Sequence, residues 1–233
     1  MNTVINIGID VHKDSYSLCA YALGNSQAFG QMRIESRDEL VVKYVDRLLA
    51  HHEGRDVKVL CGYEAGPSGY GLHRHLQTQG IPCVLMAPTS LPKAPGRRVK
   101  NDRLDAELLA KHLAYGTYSA VSVPTTEDEA VKDYTRMRNA RVEALKKAKQ
   151  NLLSFLLRKG RSFSEGKSYW TQIHYRWLRQ QQFADPLDQE TFVEYLQEVI
   201  DQQEKVDRFD QRIAEIAEDE RWSEPVGKLR CFR

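Results

Sequence analysis

Apolar positions along this chain follow two periods. Short runs with strand character dominate the first third, and long helical stripes dominate the rest. Residues 4–10 read as a buried strand. Residues 16–23 read as its hairpin partner across the polar turn His12–Ser15, and residues 28–34 as a third strand. Asp38 then opens an amphipathic helix in which Leu40, Val41, Tyr44, Val45, Leu48 and Leu49 recur at helical spacing. Residues 57–63 form a β-rich run ending at Glu64, Gly66-Pro67-Ser68-Gly69 breaks the chain, and a helix to about Gln79 is stopped by Gly80. Ile81 to Met86 is a further short strand. Strands alternating with helices after an initial meander predict an α/β mixed sheet with helices on both faces.

Residues 88–101 read as a loop rich in proline and basic residues. Asn101 or Asp102 caps the following helix, which runs to about Tyr115 with Leu104, Leu108, Leu109, His112 and Leu113 on one side. From Glu127 to Lys159 a long helix carries the stripe Tyr134, Met137, Val142, Leu145, Leu152, Leu153, Leu156 and Leu157, and Gly160 ends it. A polar stretch with Trp170 and Trp177 follows. Pro186 precedes another helix, about 189–220, in which Phe192, Val199, Val206 and Ile213 recur every seven residues. Tyr195, Phe209 and Ile216 fill three of the four intervening positions, and Gln202 breaks the seam, a coiled-coil or helical-hairpin pattern.

The net charge of +2 hides a segregation. Lys132 to Arg161 holds ten Lys/Arg against two acids, whereas Asp185 to Glu224 holds fourteen Asp/Glu against four basic residues. Two readings are compatible on different faces: the helices pair with each other as an antiparallel hairpin, or the basic one, with Lys146, Lys147 and Lys149, meets nucleic-acid phosphates. Cys19, Cys61, Cys83 and Cys231 are widely spaced without a Cys-x-x-Cys pair, which argues against a zinc ribbon or disulfide scaffold. No apolar run approaches the ~20 residues that span a bilayer. A soluble cytoplasmic protein is the expectation.

Candidate chemistry lies in four carboxylates. Asp10 and Glu64 end apolar strands, and Asp102 and Asp105 stand one helical turn apart at the start of the third helix. Singly each reads as well as a strand-end or helix-capping acid. Together they can converge, and converging carboxylates need neutralising, which two hard divalent cations supply in phosphoryl-transfer sites. Lys93, Arg97, Arg98, Lys100 and Arg103 sit beside them, as a site for a scissile strand requires. His12 and Lys13, just past Asp10, read equally as a surface turn or a phosphate contact. The aromatic cluster Tyr169, Trp170, Tyr175 and Trp177 reads as core rather than as a base-stacking platform.

Three segments, Ile-Gly-Ile-Asp-Val-His-Lys (7–13), Tyr-Glu-Ala-Gly-Pro-Ser-Gly (63–69) and Arg-Arg-Val-Lys-Asn-Asp-Arg-Leu-Asp-Ala-Glu-Leu-Leu-Ala (97–110), closely resemble the DEDD transposases of bacterial insertion sequences, relatives of the pilin-gene invertases. The resemblance covers about residues 4–115 and, more loosely, the helical remainder. It implies an RNase H-like domain similar to Holliday-junction resolvases over residues 1–125, in which Asp10, Glu64, Asp102 and Asp105 bind Mg²⁺, with Mn²⁺ able to substitute. It implies a coiled-coil dimerisation and nucleic-acid-binding region over 126–222, making a dimer or tetramer. Family members carry a further C-terminal domain with a serine nucleophile, and some are guided by a structured bridge RNA. Residues 223–233 would then begin that domain, and this chain would hold the metal half of a DNA recombinase, inactive alone. Rival readings are a stand-alone structure-specific nuclease of resolvase type and a non-catalytic RNA-binding dimerisation module. An actin-like sugar kinase would need a second phosphate loop and an adenosine motif, and neither is found.

Overall fold

Alternate apolar residues of one strand set the first layer. Ile5, Ile7 and Ile9 are all essentially inaccessible on β1 (Thr3–Val11), which lies at the centre of a five-stranded sheet. The computed structural model describes residues 3–52, 56–90 and 102–232, with the backbone alone at residues 90, 102 and 103. It divides into two units, residues 1–123 and 124–233.

The first unit adds β2 (Ser15–Ala22), β3 (Phe29–Glu35), β4 (Val57–Glu64) and β5 (Cys83–Met86) in the order β3-β2-β1-β4-β5. β2 runs antiparallel to both β1 and β3, and β1, β4 and β5 run parallel. This is the mixed sheet with flanking helices that the RNase H-like expectation describes. One face packs Ile5, Ile7, Ile9 and Leu18 against Val41, Tyr44 and Val45 of α1 (Asp38–His51) and Leu72 and Leu76 of α2 (Gly71–Thr78). Tyr16 donates its hydroxyl proton to Asp38 at 3.0 Å, tying β2 to the start of α1; burial and that carboxylate push its pKa up to about 12. The other face takes α3 (Asp102–Tyr115). Residues 119–121 close the β5 edge: Ala87 N–H donates to the Ser119 carbonyl at 2.9 Å and Val121 N–H to that of Leu85 at 2.8 Å.

Three details depart from the sequence pattern. The last strand begins at Cys83, because Ile81 is buried at the end of α2 instead. A short 3₁₀ turn, Pro88–Ser90, opens the segment read as loop; residues 91–101 lie outside the described residues. On α3 the buried residues are Ala106, Leu109, Ala110, His112 and Leu113, while Leu104 and Leu108 are exposed. Small residues replace leucines on the packed face because the strand beneath offers glycine, as described below.

The second unit is helical. Thr125 caps α4 (Thr126–Arg158), its hydroxyl accepting the Asp128 N–H at 3.1 Å. Asp185 caps α6 (Pro186–Ala217) by accepting the Leu187 and Asp188 N–H groups. The two helices form an antiparallel hairpin, as the paired ends require: Lys159 to Asp188 at 2.6 Å at one end, Arg138 to Asp210 at 2.7 Å near the other. Leu145, Leu152, Phe155 and Leu156 meet Phe192, Val199 and Val206 between them. Gln202 is buried in this seam and donates to Glu198 at 2.8 Å. Two helices were not anticipated, α5 (Gln172–Arg179) and α7 (Glu220–Arg230). α5 is short and buries only His174 and Leu178, too little for a periodic signal. α7 buries nothing, and Arg221 anchors it to the head of α4 through Thr125 and Asp128.

His174 sits at the centre of the aromatic cluster, fully buried, with the rings of Phe163, Tyr169 and Trp170 within 4.7–5.0 Å. Its Nδ1 accepts the backbone N–H of Trp170 at 3.0 Å, so the neutral ring carries its proton on Nε2. That bond steadies Trp170 at φ +64°, where non-glycine residues are uncommon.

Burial lowers the His174 pKa, so the folded unit resists a proton that the unfolded chain accepts near pH 6.5. The unfolded state therefore binds more protons below that pH, and stability falls as the solution is acidified. The melting temperature of the helical unit should drop between pH 7.5 and 5.5, and His174→Gln should flatten that drop; an unaltered pH slope would contradict the assignment.

Candidate carboxylate site

Two glycines decide where α3 lies. A Cβ on Gly8 would fall 2.1 Å from the Ala106 carbonyl oxygen and 2.3 Å from the Ala110 nitrogen. A Cβ on Gly62 would fall 2.8 Å from a Leu113 methyl. Only strands without side chains at these points admit the helix so closely. Side chains alternate along a strand, so Asp10, two residues past Gly8, and Glu64, two past Gly62, share the face that α3 covers. The strands are in step, with Ile9 paired to Tyr63, which sets Asp10 and Glu64 at neighbouring strand ends.

The helix runs against β1. Its last residue, Tyr115, meets the hydroxyl of Tyr21 at 2.8 Å, and Tyr21 pairs with Asn6 near the start of β1. From Gly8 to Asp10 the strand advances roughly 6–7 Å. From Ala106 back to Asp102 the helix advances about 6 Å in the same direction. The first turn of α3 therefore reaches toward the strand end that carries Asp10.

The side chains themselves are dispersed. Asp10 Oδ2 lies 2.9 Å from His12 Nε2. Glu64 is exposed and Asp105 half-buried. The Asp102 side chain is outside the described residues. Among the described residues no three of His, Cys, Asp and Glu gather closely enough to hold a metal ion. The fold brings the elements together, while Asp10, Glu64 and Asp105 do not close on one point.

Both flanks are braced. On β4, Ala65 N–H donates to the Met86 carbonyl at 2.9 Å, carrying strand pairing past Glu64. Buried Tyr63 donates to the Gly69 carbonyl at 3.3 Å and accepts the His73 N–H at 3.2 Å, which pins the Gly66–Gly69 turn; burial raises its pKa. On the other flank, the turn after β1 closes through His12 N–H to the Ser15 carbonyl at 3.0 Å. Ser36 donates to the Lys13 carbonyl at 2.7 Å, and Arg33 donates twice to Ser15 Oγ, at 3.1 and 3.0 Å. Ser17 opposes Asp10 and Arg33 opposes Ser17, so both share its sheet face. Sequence reading missed Arg33; the hairpin register, applied to the alternation in residues 28–34, contains the signal.

Of the basic residues singled out, Lys93, Arg97, Arg98 and Lys100 lie outside the described residues, as does the side chain of Arg103. Lys146 and Lys147 are exposed on α4. Lys149 instead turns inward: Nζ donates to Gln203 at 3.2 Å, stands 5.1 Å from the centre of the Trp170 ring, and has its pKa lowered by burial.

Comparison with known proteins gives concordant matches. A family described as transposase, the IS110-type DEDD family, matches residues 7–159. The chain is 35% identical over 234 residues to the transposase for insertion sequence element IS1533 of Leptospira borgpetersenii, all of this chain against 66% of that protein. It is 36% identical over 198 residues to protein y4qE of Sinorhizobium fredii, covering 83% of this chain and 49% of the other. The chain thus spans about half to two thirds of the length of these relatives. Among solved structures, RuvC of T. thermophilus in complex with a Holliday junction substrate is 13% identical, with a TM-score of 0.32 over 52% of this chain and 100% of that one. No helix among the described residues is long and apolar enough to cross a membrane.

The close approach of α3 yields a direct prediction. Gly8→Ala should destabilise the first unit by about 1–3 kcal/mol, because the overlap is with backbone that cannot rotate away. Denaturant titration followed by circular dichroism measures this; an undiminished midpoint would mean that the helix does not rest on Gly8.

Proposed function

The chain belongs to the IS110-type DEDD transposase family, and we propose that it supplies the carboxylate half of a DNA strand-cleavage and strand-exchange site, with Asp10, Glu64, Asp102 and Asp105 as ligands for Mg²⁺ or Mn²⁺. The observation that carries this reading is the glycine-lined contact of α3. It draws the turn bearing Asp102 and Asp105 toward the strand ends bearing Asp10 and Glu64. Hard carboxylate oxygens are the donor chemistry that Mg²⁺ prefers, and the α3 backbone seated directly over Gly8 keeps the first turn of that helix close to the strand ends.

Within this reading, Asp10 and Glu64 are held by the sheet and Asp102 and Asp105 by one helix, so the four acids approach as two rigid pairs. Bound Mg²⁺ would supply Lewis-acid stabilisation of charge developing on a phosphate. The protein's own share is orientation: the paired strand ends fix two ligands, the braced turns keep the rim in place, and the basic residues 93–103 neutralise neighbouring phosphates. In the family scheme the nucleophile is a serine of a further C-terminal domain, and the share proposed for this chain is to bind and orient the phosphates. Recognition is guided by a structured RNA, and the α4–α6 hairpin carries the contacts that make a dimer or tetramer. Lys146 and Lys147, exposed on α4, are the phosphate contacts of that region.

Two measurements test the reading. Mn²⁺ at ten times its Kd should stabilise the fold by about 1.4 kcal/mol, a rise of roughly 3 °C or more in melting temperature, and Asp105→Asn should abolish it. A melting temperature indifferent to millimolar Mn²⁺ would sink the metal site, whereas Mn²⁺-dependent cleavage of branched DNA by this chain alone would favour a stand-alone nuclease. Reversing Lys146 and Lys147 to Glu should weaken nucleic-acid binding and reduce its salt slope by about two. An unchanged slope would make that face a solvated one.

A further inference from the structure

We propose that His12 is a positioning residue for Asp10: its imidazole holds one carboxylate oxygen so that the other is presented as a ligand. This inference rests on the metal-binding reading above and adds a residue to it.

Geometry comes first. Nε2 of His12 lies 2.9 Å from Oδ2 of Asp10, a full-strength hydrogen bond. An ionised carboxylate only accepts, so Nε2 carries the proton and the bond is charge-assisted. The contact is partly shielded from water, with the His12 side chain 33% and the Asp10 side chain 16% exposed. Shielding raises the strength of such a bond above that of a surface pair.

The second point is the support of His12 itself. An imidazole on a loose turn could not orient anything. This turn is closed by its own backbone, His12 N–H to the Ser15 carbonyl, and fastened from outside by two residues at the far end of the hairpin. Arg33 clamps the Ser15 hydroxyl and Ser36 clamps the Lys13 carbonyl. The brace thus runs from β3 through the turn to His12 and on to Asp10. A carboxylate on a free side chain samples several rotamers; one fixed at Oδ2 is restricted to those that place Oδ1 on the opposite side. Outer partners of this kind typically change metal affinity by about 10–100-fold when removed. His12 holds a ligand and touches no reacting atom, so its role is positional.

The experiment measures Mn²⁺ affinity of the whole chain by electron paramagnetic resonance, with melting temperature in metal-free buffer recorded alongside. Wild type, Asp10→Asn, His12→Ala, His12→Asn and His12→Gln are compared. His12→Ala and His12→Asn should weaken Mn²⁺ binding by about tenfold at an unchanged metal-free melting temperature. His12→Gln, whose amide nitrogen reaches as far as Nε2, should recover most of the affinity, a rescue that a merely structural role would not give. Mn²⁺ binding that Asp10→Asn abolishes but His12→Ala leaves intact overturns this inference alone. Tighter binding in His12→Ala overturns it too, by making the imidazole a competitor for Asp10. Wild type that binds no Mn²⁺ overturns the metal reading together with the inference. Should His12→Ala not fold, the comparison of His12→Asn with His12→Gln decides on its own.

Discussion

Helix α3 lies on β1 at a distance that no side chain would tolerate, and most of what the first unit can do follows from that contact. With Gly8 beneath Ala106 and Ala110, the helix backbone comes down onto the sheet instead of riding on a layer of side chains. A helix ordinarily packs on a sheet through an intervening layer of apolar side chains. Here the closeness lowers the first turn of the helix toward the ends of β1 and β4. A bulkier residue at position 8 would lift that turn and separate the two pairs of acids, however well each pair was itself held.

The helical unit answers to a different constraint. Its hairpin has an apolar seam of leucine, valine and phenylalanine, but Gln202 interrupts that seam, its Oε1 meeting no hydrogen-bond donor among the described residues. A buried polar group costs stability and in helical pairs tends to specify register. Charge does the same at the ends, where Lys159 meets Asp188 and Arg138 meets Asp210. The segregation of basic and acidic stretches is thus partly consumed inside the hairpin, and Lys149 belongs to that consumed part. Lys146 and Lys147, exposed on α4, do not.

The order of strands and helices in the first unit was legible because each strand is a short apolar run and each helix has an apolar stripe long enough to count. The candidate acids stand out at element ends: Asp10 and Glu64 where apolar strands stop, Asp102 and Asp105 where the third helix starts. The packed face of α3 was not, since leucines outrank alanines on any hydrophobic scale, and only the glycine in another strand reverses that preference. α5 and α7 escaped notice because one buries two residues and the other none. The inward turn of Lys149 depends on Trp170, twenty-one positions away, and lies beyond any local pattern. The His12–Asp10 contact and the placement of Arg33 follow from hairpin register, which a sequence implies only after its pairing is known.

The short segment that seals the β5 edge is also the way out of the first unit. Residues 119–121 are bonded to β5, and the chain enters the second unit three residues later. That exit is fixed by the packing of Val121 and Val123 against the core and by two backbone hydrogen bonds, Ala87 to Ser119 and Val121 to Leu85. Those bonds sit next to Met86, whose carbonyl holds Ala65 immediately past Glu64. What fastens the edge strand of the first unit thus also fastens the backbone just past Glu64.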